Sequence, residues 1–521
     1  MINKDALLPE VIGRWPATRR VFDAAGLKGC GGALGPRESV EFFARVHKVD
    51  LDQLLGDLET ATSEAAPPGY TEDLGDILYR RFFRGALAIL LFAGVALGVL
   101  AITAPVLGIT LDLAGVVQAH GNAQLFGFIG LFVMGFACQG LPRFKYVQLW
   151  RPRLANAAFL LMIAGVALHL AIAIPGGRWI AVAGGALQAM AALLFLAVMI
   201  GTLRGTQRDA WDGYVAAGLV VFVVTAVLDP ITMIRPMPWL PLRDLELLGF
   251  GVLVALGVSQ RILPVAFGFR DVTNTAAPLA LLLAGLALMP QGGILFAAGA
   301  VWLAWQFRAL TAGDAGRSTK FIRAAYGWLI AGVALHAVEP WFATAAYHSA
   351  FRHAIGVGFL SLLIVGVSSK VVPILRGIDL AGLPSLWLPF VLLNTGNALR
   401  VGAEIAGVAS LMALSGPLLA AGYFLWALHL WELLGRRVDD AAPPGDGIHA
   451  GMHPADVLAR HPATMAVFEQ FGFGMLRNPI LRATLGRQIT LRGACQLKSV
   501  KLDDFLSALN RAVHLPASFE V

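Results

Sequence analysis

From Arg80 to about Arg437 the chain is a nearly unbroken series of apolar runs of roughly 20 residues, separated only by short turns. Runs of that length constrain the fold severely. In lipid each backbone N–H and C=O must find its partner within the protein, which leaves helices as the spanning element for such segments. Spans are expected near 82–104, 112–139, 154–175, 178–202, 212–234, 245–265, 276–290, 292–310, 321–345, 347–373, 383–406 and 408–434. The expected fold is all-α, a polytopic membrane bundle of about twelve transmembrane helices with small helical soluble domains at both termini. Only 14% of the residues are charged and 57% are hydrophobic, whereas a soluble domain carries about 25% charge. The formal charge of +7 sits in short loops, so it reads as membrane topology rather than nucleic-acid binding. The lipid membrane is the expected partner, and nucleic acid is not.

The polar ends divide the rest. Residues 1–60 read as a soluble helical domain, 61–79 as a linker with Pro67, Pro68 and Gly69, and 80–437 as the membrane domain. Residues 438–450 form a second linker with Pro443, Pro444 and Gly445, and 451–516 a second soluble domain. The two ends repeat each other. Trp15-Pro16-Ala17-Thr18 with Val21-Phe22 and Gly26 matches His461-Pro462-Ala463-Thr464 with Val467-Phe468 and Gly472, and Val49-Asp50-Leu51-Asp52 matches Val500-Lys501-Leu502-Asp503. Loop basicity sets the orientation. Arg80, Arg81, Arg84, Arg143, Lys145, Arg151, Arg153, Lys370, Arg376, Arg436 and Arg437 are among those on one side. Arg178, Arg235, Arg243, Arg352 and Arg400 fall on the other. Both termini are therefore expected in the cytoplasm of a bacterium, with the chain in its inner membrane. Cys30, Cys138 and Cys495 show no pairing pattern, which suits a reducing compartment.

A second repeat lies in the membrane, as Gly-Phe-x6-Gly-x6-Pro or a close variant. It places Gly127, Gly135 and Pro142; Gly249, Gly257 and Pro264; and Gly358, Gly366 and Pro373 in register. Such a ladder serves either close helix packing or a flat ligand. Ionisable residues within spans are expensive and mark candidate sites. His120 and His353 fall roughly 10–13 Å from the same end of two parallel spans. His169, His336 and His348 share their leaflet, and His429 lies toward the other. Two imidazoles at equal depth across a bundle suit the axial positions of a b-type haem, with Phe126, Phe128, Phe359 and the glycines as its apolar walls. Arg400 and Arg352 are candidate partners for the propionates, and Arg400 equally reads as a snorkelling side chain.

Gln118-Ala119-His120-Gly121-Asn122 on the second span and Arg352-His353-Ala354-Ile355-Gly356 on the tenth resemble the core subunit of haem–copper oxidases and nitric oxide reductases, whose low-spin haem is held from those two helices. A closer resemblance is to the NnrS family of haem- and copper-containing membrane proteins linked to nitric oxide, carried also by Ser259-Gln260-Arg261-Ile262-Leu263-Pro264 and Arg323-Ala324-Ala325-Tyr326-Gly327-Trp328-Leu329. It covers about residues 80–435. It implies haem, with copper or a second haem at His169, His336 and His348, and nitric oxide as the small-molecule partner, with the electron donor unidentified. The chain departs from the oxidases: the sixth and seventh spans hold no histidine, and Leu242 stands where the second repeat copy would match His120. The ends resemble the N-terminal helical domain of ScdA-type iron–sulfur repair proteins through Val21-Phe22-Asp23-Ala24-Ala25-Gly26, Cys30-Gly31-Gly32 and Val49-Asp50-Leu51. Cys30 is then either a reactive thiolate, near His47, or a small buried residue.

Three functional classes fit the sequence: a haem protein that binds or reduces nitric oxide or protects iron pools from it, a haem–copper-oxidase-like electron carrier, and a secondary transporter that would use Asp229 and Glu339. Whether the chain is an enzyme is left open by its residues. The loop charges make a direct prediction. A reporter fused at Gly176 should lie on the face opposite both termini, and a cytoplasmic signal there would overturn the topology.

Overall fold

The computed structural model describes residues 2–65, 72–237, 241–342, 345–378, 380, 383–435, 448–450 and 452–514. The linker residues Pro67, Pro68, Gly69, Pro443, Pro444 and Gly445, and the basic pair Arg436 and Arg437, lie outside the described residues. Twelve apolar helices follow one another: α1 Leu74–Thr103, α2 Leu113–Phe144, α3 Pro152–Ala173, α4 Arg178–Leu203, α5 Asp212–Ile234, α6 Leu242–Phe267, α7 Ala276–Ala287, α8 Gly293–Phe307, α9 Thr319–Trp341, α10 Ala346–Leu375, α11 Trp387–Ala406 and α12 Ala409–Gly435. Among the described residues nine are long and apolar enough to cross a membrane. Helices α7 and α8 have 12 and 15 residues, and α11 carries Arg400 and Glu404. The fold is thus an all-α membrane bundle with helical modules at both ends, as expected.

The membrane repeat organises this bundle. Helices α2, α6 and α10 each contain a π-helical stretch, Ala123–Gly130, Leu245–Val252 and Ala354–Ser361, which starts four residues before the first ladder glycine in every copy. The bundle is therefore three units of four helices, with the ladder on the second helix of each. Consecutive helices pack on one another, and α12 packs back on α1 to close the ring. The prolines lie inside the last turns of α2, α6 and α10, so these helices run two or three residues past them.

The ladder glycines serve packing. A Cβ on Gly127 would sit 2.4 Å from Ile89, one on Gly249 2.8 Å from Val221, and one on Gly358 2.5 Å from Trp328. Each of these contacts is to the first helix of its own unit. Gly135, Gly257 and Gly366 repeat the pattern against Phe82, Tyr214 and Ile322. Without a hydrophobic drive between helices in lipid, close backbone approach is what holds neighbours together.

The two ends build the same module. Helices Leu8–Arg14, Val40–His47 and Leu51–Ala61 correspond to Pro454–Arg460, Leu491–Lys498 and Leu502–His514. Ser39 and Thr490 cap equivalent helices by accepting from the N–H of Phe42 and Gly493. Both modules dock on the face where α2, α10 and α12 end. In the first, Gly31 N–H donates to Leu375 O (3.0 Å), Gln139 Nε2 to Gly29 O (3.1 Å) and Tyr146 OH to His47 O (2.6 Å). Gly29 and Gly31 have φ of +73° and +70°, and a Cβ on Gly29 would overlap the Arg143 and Asp76 side chains, so glycine is required there. In the second, the Glu432 carboxylate of α12 accepts from Thr490 N–H (2.9 Å) at the start of helix Leu491–Lys498, an anion at a helix N-terminus.

Docking decides the state of three groups in the first module. Burial pushes the Cys30 thiol up to about 11, so it is protonated at neutral pH. That supports the second of its two readings, a small residue held in the module, because nucleophilicity needs the thiolate. Burial and, next, Arg261 bring His47 down to about 4 from 6.5, against a hydrogen bond to the Ala25 backbone. Burial alone raises Glu38 to about 7 from 4.5. The signs oppose. As pH falls from 6.5 to 4, the unfolded module takes up more protons at His47 and stability drops. As pH falls from 7 to 4.5, the folded module takes up more at Glu38 and stability rises. The intact module should therefore respond weakly to mild acid. His47→Gln should make it more stable on acidification, and Glu38→Gln less stable. Hydrogen exchange in helix Val40–His47 of the full chain measures this, and parallel responses in the two variants would refute it.

Candidate functional site

A cavity of about 1610 Å³ opens toward the face opposite the modules, between α1, α2, α10, α11 and α12 and flanked by α6 and α9. That exceeds the ~300–1,000 Å³ of an ordinary small-molecule pocket. His120 and His353 both line it. Each imidazole has its Nδ1 against a backbone carbonyl, His120 on Gly94 O at 2.8 Å and His353 on Ser349 O at 2.9 Å. Neither Nε2 has a hydrogen-bond partner among the described residues. A ring whose Nδ1–H is committed to a carbonyl presents Nε2 as a lone-pair donor, the orientation that metal-ligating histidines use. The close approach of α1 makes this possible. A Cβ on Gly98 would fall 2.8 Å from the His120 ring, so only glycine there leaves the imidazole its place.

Two cations stand beside the pair. Arg400 is buried, ion-paired with Glu404, and lies 3.4 Å from the Ser349 hydroxyl. Of its two readings, burial in the cavity wall is the one the structure adopts. Arg352 Nε donates to Asp244 Oδ1 at 2.7 Å. Asp244 also lies 3.5 Å from His348 Nε2, and His348 Nδ1 meets Glu339 at 2.7 Å. His336 sits 3.9 Å from the same Glu339. His336, His348, Arg352 and Arg400 thus share the cavity with His120 and His353. His169 does not line it. Fully buried, His169 places Nε2 3.2 Å from Asp229, whose other oxygen accepts from Arg243 at 2.6 Å, and Arg243 pairs in turn with Glu246.

Several walls differ from expectation. Phe126 packs with Phe222, Phe128 with Phe132 and Trp426, and Phe359 with Tyr326. None of these three, nor any ladder glycine, lines the cavity. Val95, Val99, Ile102, Val357 and Leu419 do. Facing α1 and α12 rather than its own neighbours, the site takes its apolar wall from helices whose sequence shows no periodic mark. Asp244, Glu246 and Glu404 escaped the sequence reading. Their signal was available, since each is a carboxylate within an apolar span.

The residues lining the cavity fit a haem: two imidazoles with free Nε2 atoms, an apolar wall, and two guanidinium groups. They do not fit a ready-made copper centre. Among the described residues no three His, Cys, Asp or Glu side chains converge in ligating geometry; His336 and His348 both lie against Glu339, while His169 is held apart on Asp229. Asp229 and Glu339, the residues a transport site would use, are both tied to partners.

The comparison with known families follows this geometry. The NnrS protein family matches residues 79–437, the whole bundle. The chain belongs to the NnrS family. Residues 450–506, the second terminal module, match a domain of unknown function, DUF1858. No characterised protein matches the chain in sequence.

The buried ion pairs make a stability prediction. Asp229→Ala leaves Arg243 and His169 facing each other without their shared anion. Removing one partner of a buried pair costs about 3–5 kcal/mol, so the variant should unfold at a distinctly lower temperature in detergent. An unchanged transition would show that the pair is solvated.

Proposed function

We propose that this NnrS-family protein is a b-type haem protein of the bacterial cytoplasmic membrane that handles nitric oxide stress, with both termini in the cytoplasm. The observation that carries the reading is the pair of cavity-facing imidazoles, His120 and His353, each with Nδ1 on a backbone carbonyl and Nε2 free. These two would be the axial ligands. Arg400 and Arg352 would hold the propionates, Arg400 by exchanging Glu404 for a haem carboxylate and Arg352 through the guanidinium nitrogens that Asp244 leaves open. Haem iron when bound supplies a site for a small, lipid-soluble gas and a one-electron couple.

Of the two imidazoles that would hold the haem, His353 is the less firmly anchored. Its Nδ1 carbonyl belongs to its own helix, four residues back, whereas His120 is anchored across to α1 and wedged against Gly98. The Asp244–His348–Glu339 row lies at the same cavity, with the His348 side chain 35% exposed. An unidentified electron donor completes the account, and turnover is compatible with it but not required.

Two measurements test this. His120→Ala should abolish haem retention, while His353→Ala should keep a five-coordinate haem that binds nitric oxide faster. A deletion strain given nitric oxide at low oxygen should grow poorly and accumulate dinitrosyl iron signals. Wild-type spectra in both variants, or growth equal to the parent strain, would end the reading.

A further inference from the structure

The Ser259-Gln260-Arg261-Ile262-Leu263-Pro264 motif has no part in the outer cavity. The structure places Ser259, Arg261 and Pro264 instead in a second cavity, of about 1190 Å³, on the side of the terminal modules. Its lining follows the threefold repeat. Counted back from the three prolines, the residues thirteen before are Ile129, Gly251 and Leu360, and those ten before are Phe132, Val254 and Leu363. Six before come Phe136, Val258 and Val367. All nine line the cavity. The same positions of α2, α6 and α10 thus face one axis, and the cavity is a shaft along it with wholly apolar rungs.

The chemistry changes near the mouth. Five residues before the prolines stand Ala137, Ser259 and Ser368, and three before stand Gln139, Arg261 and Lys370, again all lining the shaft. Lys370 is neutralised by Asp314 at 2.7 Å, and Gln139 is taken by Gly29 O. Arg261 has no carboxylate partner among the described residues. Its guanidinium stacks over Phe144 at 5.5 Å and reaches Val46 O at 3.4 Å. Arg45 of the first module, also at the mouth, lies over the Phe42 ring at 5.3 Å and has no carboxylate partner among the described residues. Burial and, next, Arg261 lower the proton affinity of His47 beside it, and Glu38 and Asp271 also line the cavity.

From the first rung to Arg261 is ten residues of helix, ~15 Å at 1.5 Å per residue, which is about half the ~30 Å hydrocarbon core and so the length of one leaflet's acyl chain. A gas would need neither that length nor a cation. We propose that this shaft binds a single-chain anionic amphiphile, a long-chain fatty acid, with its tail along the threefold axis and its carboxylate on Arg261. The first module, through Cys30, Glu38, Arg45 and His47, forms part of the mouth, so the bound headgroup contacts both bodies. This site is separate from the haem site and does not rest on it, although Ile129 forms a wall of both cavities.

The test uses the full chain in nanodiscs with a palmitate analogue carrying a photoreactive diazirine at its tail end and an alkyne tag. Crosslinks mapped by mass spectrometry should fall on the two deepest rungs, at Ile129, Leu360, Phe132 or Leu363. Arg261→Gln should reduce them about tenfold, as loss of a charge-assisted headgroup contact would, and Val258→Trp, which fills the shaft, should abolish them. Size-exclusion profiles and far-UV circular dichroism report that each variant is folded. A matching long-chain alcohol should label the rungs weakly. Labelling confined to lipid-facing residues such as Phe92 and Trp305, or rung labelling indifferent to both substitutions or equal for the alcohol, would overturn the proposal, as would a shaft that takes up xenon but no chain.

Discussion

The cost of keeping a polar nitrogen or a charge away from water is the constraint from which this structure follows. In the outer half of the bundle four carboxylates within the helices are held by arginines: Asp229 by Arg243, Glu246 by Arg243, Asp244 by Arg352 and Glu404 by Arg400. Against that background the Nε2 atoms of His120 and His353 are free, and so are both ring nitrogens of His336 in the same cavity wall. These uncommitted imidazole nitrogens are what the proposed haem would use. The same argument runs at the other end of the axis, where Lys370 is paired and Arg261 is not.

The threefold repeat explains how one helical pattern yields three different interiors. The ladder glycines fix each central helix to the first helix of its unit, so α2, α6 and α10 present equivalent faces inward. Toward the terminal modules these faces stay equivalent and enclose a shaft. Toward the opposite face they diverge. Between α2 and α10 the two histidines border the large cavity. Between α6 and α10 lie Asp244, Arg352 and the His348–Glu339 pair. Between α2 and α6 the space is filled by the stacked rings of Phe222 and Phe250 with Phe126 beside them. Seven residues before the first ladder glycine stand His120, Leu242 and Phe351, and five before stand Asn122, Asp244 and His353, so the two histidines occupy different positions of the repeat and α6 carries neither.

Much of this was legible in the chain. Lipid forces helices of predictable length, so the spans could be read directly. The shared depth of His120 and His353, and the repeat of the terminal modules, are visible as spacing. Other features were not legible, for physical reasons. Whether a glycine ladder serves a neighbour or a ligand depends on what faces it, and Ile89, Val221 and Trp328 lie on other helices with no marking of their own. The aromatic residues nearest the histidines in sequence turn away, because a helix places successive side chains on different faces. The DUF1858 module docks through Glu432, a single carboxylate at the end of an apolar helix that loop charge counts would pass over. Cys30 likewise depends on tertiary packing: its turn meets the end of α10 through Gly31, and the thiol is half-buried there.

The central claim is that His120 and His353 grip one haem from α2 and α10. The most direct measurement is a cryo-electron microscopy map of the full chain purified from membranes without added cofactor. This account predicts a planar macrocycle in the outer cavity, both Nε2 atoms at coordination distance from a single iron, and propionates turned toward Arg400 and Arg352. A macrocycle ligated from elsewhere, or a cavity filled by lipid with the two imidazoles hydrogen-bonded to each other through water, would contradict it.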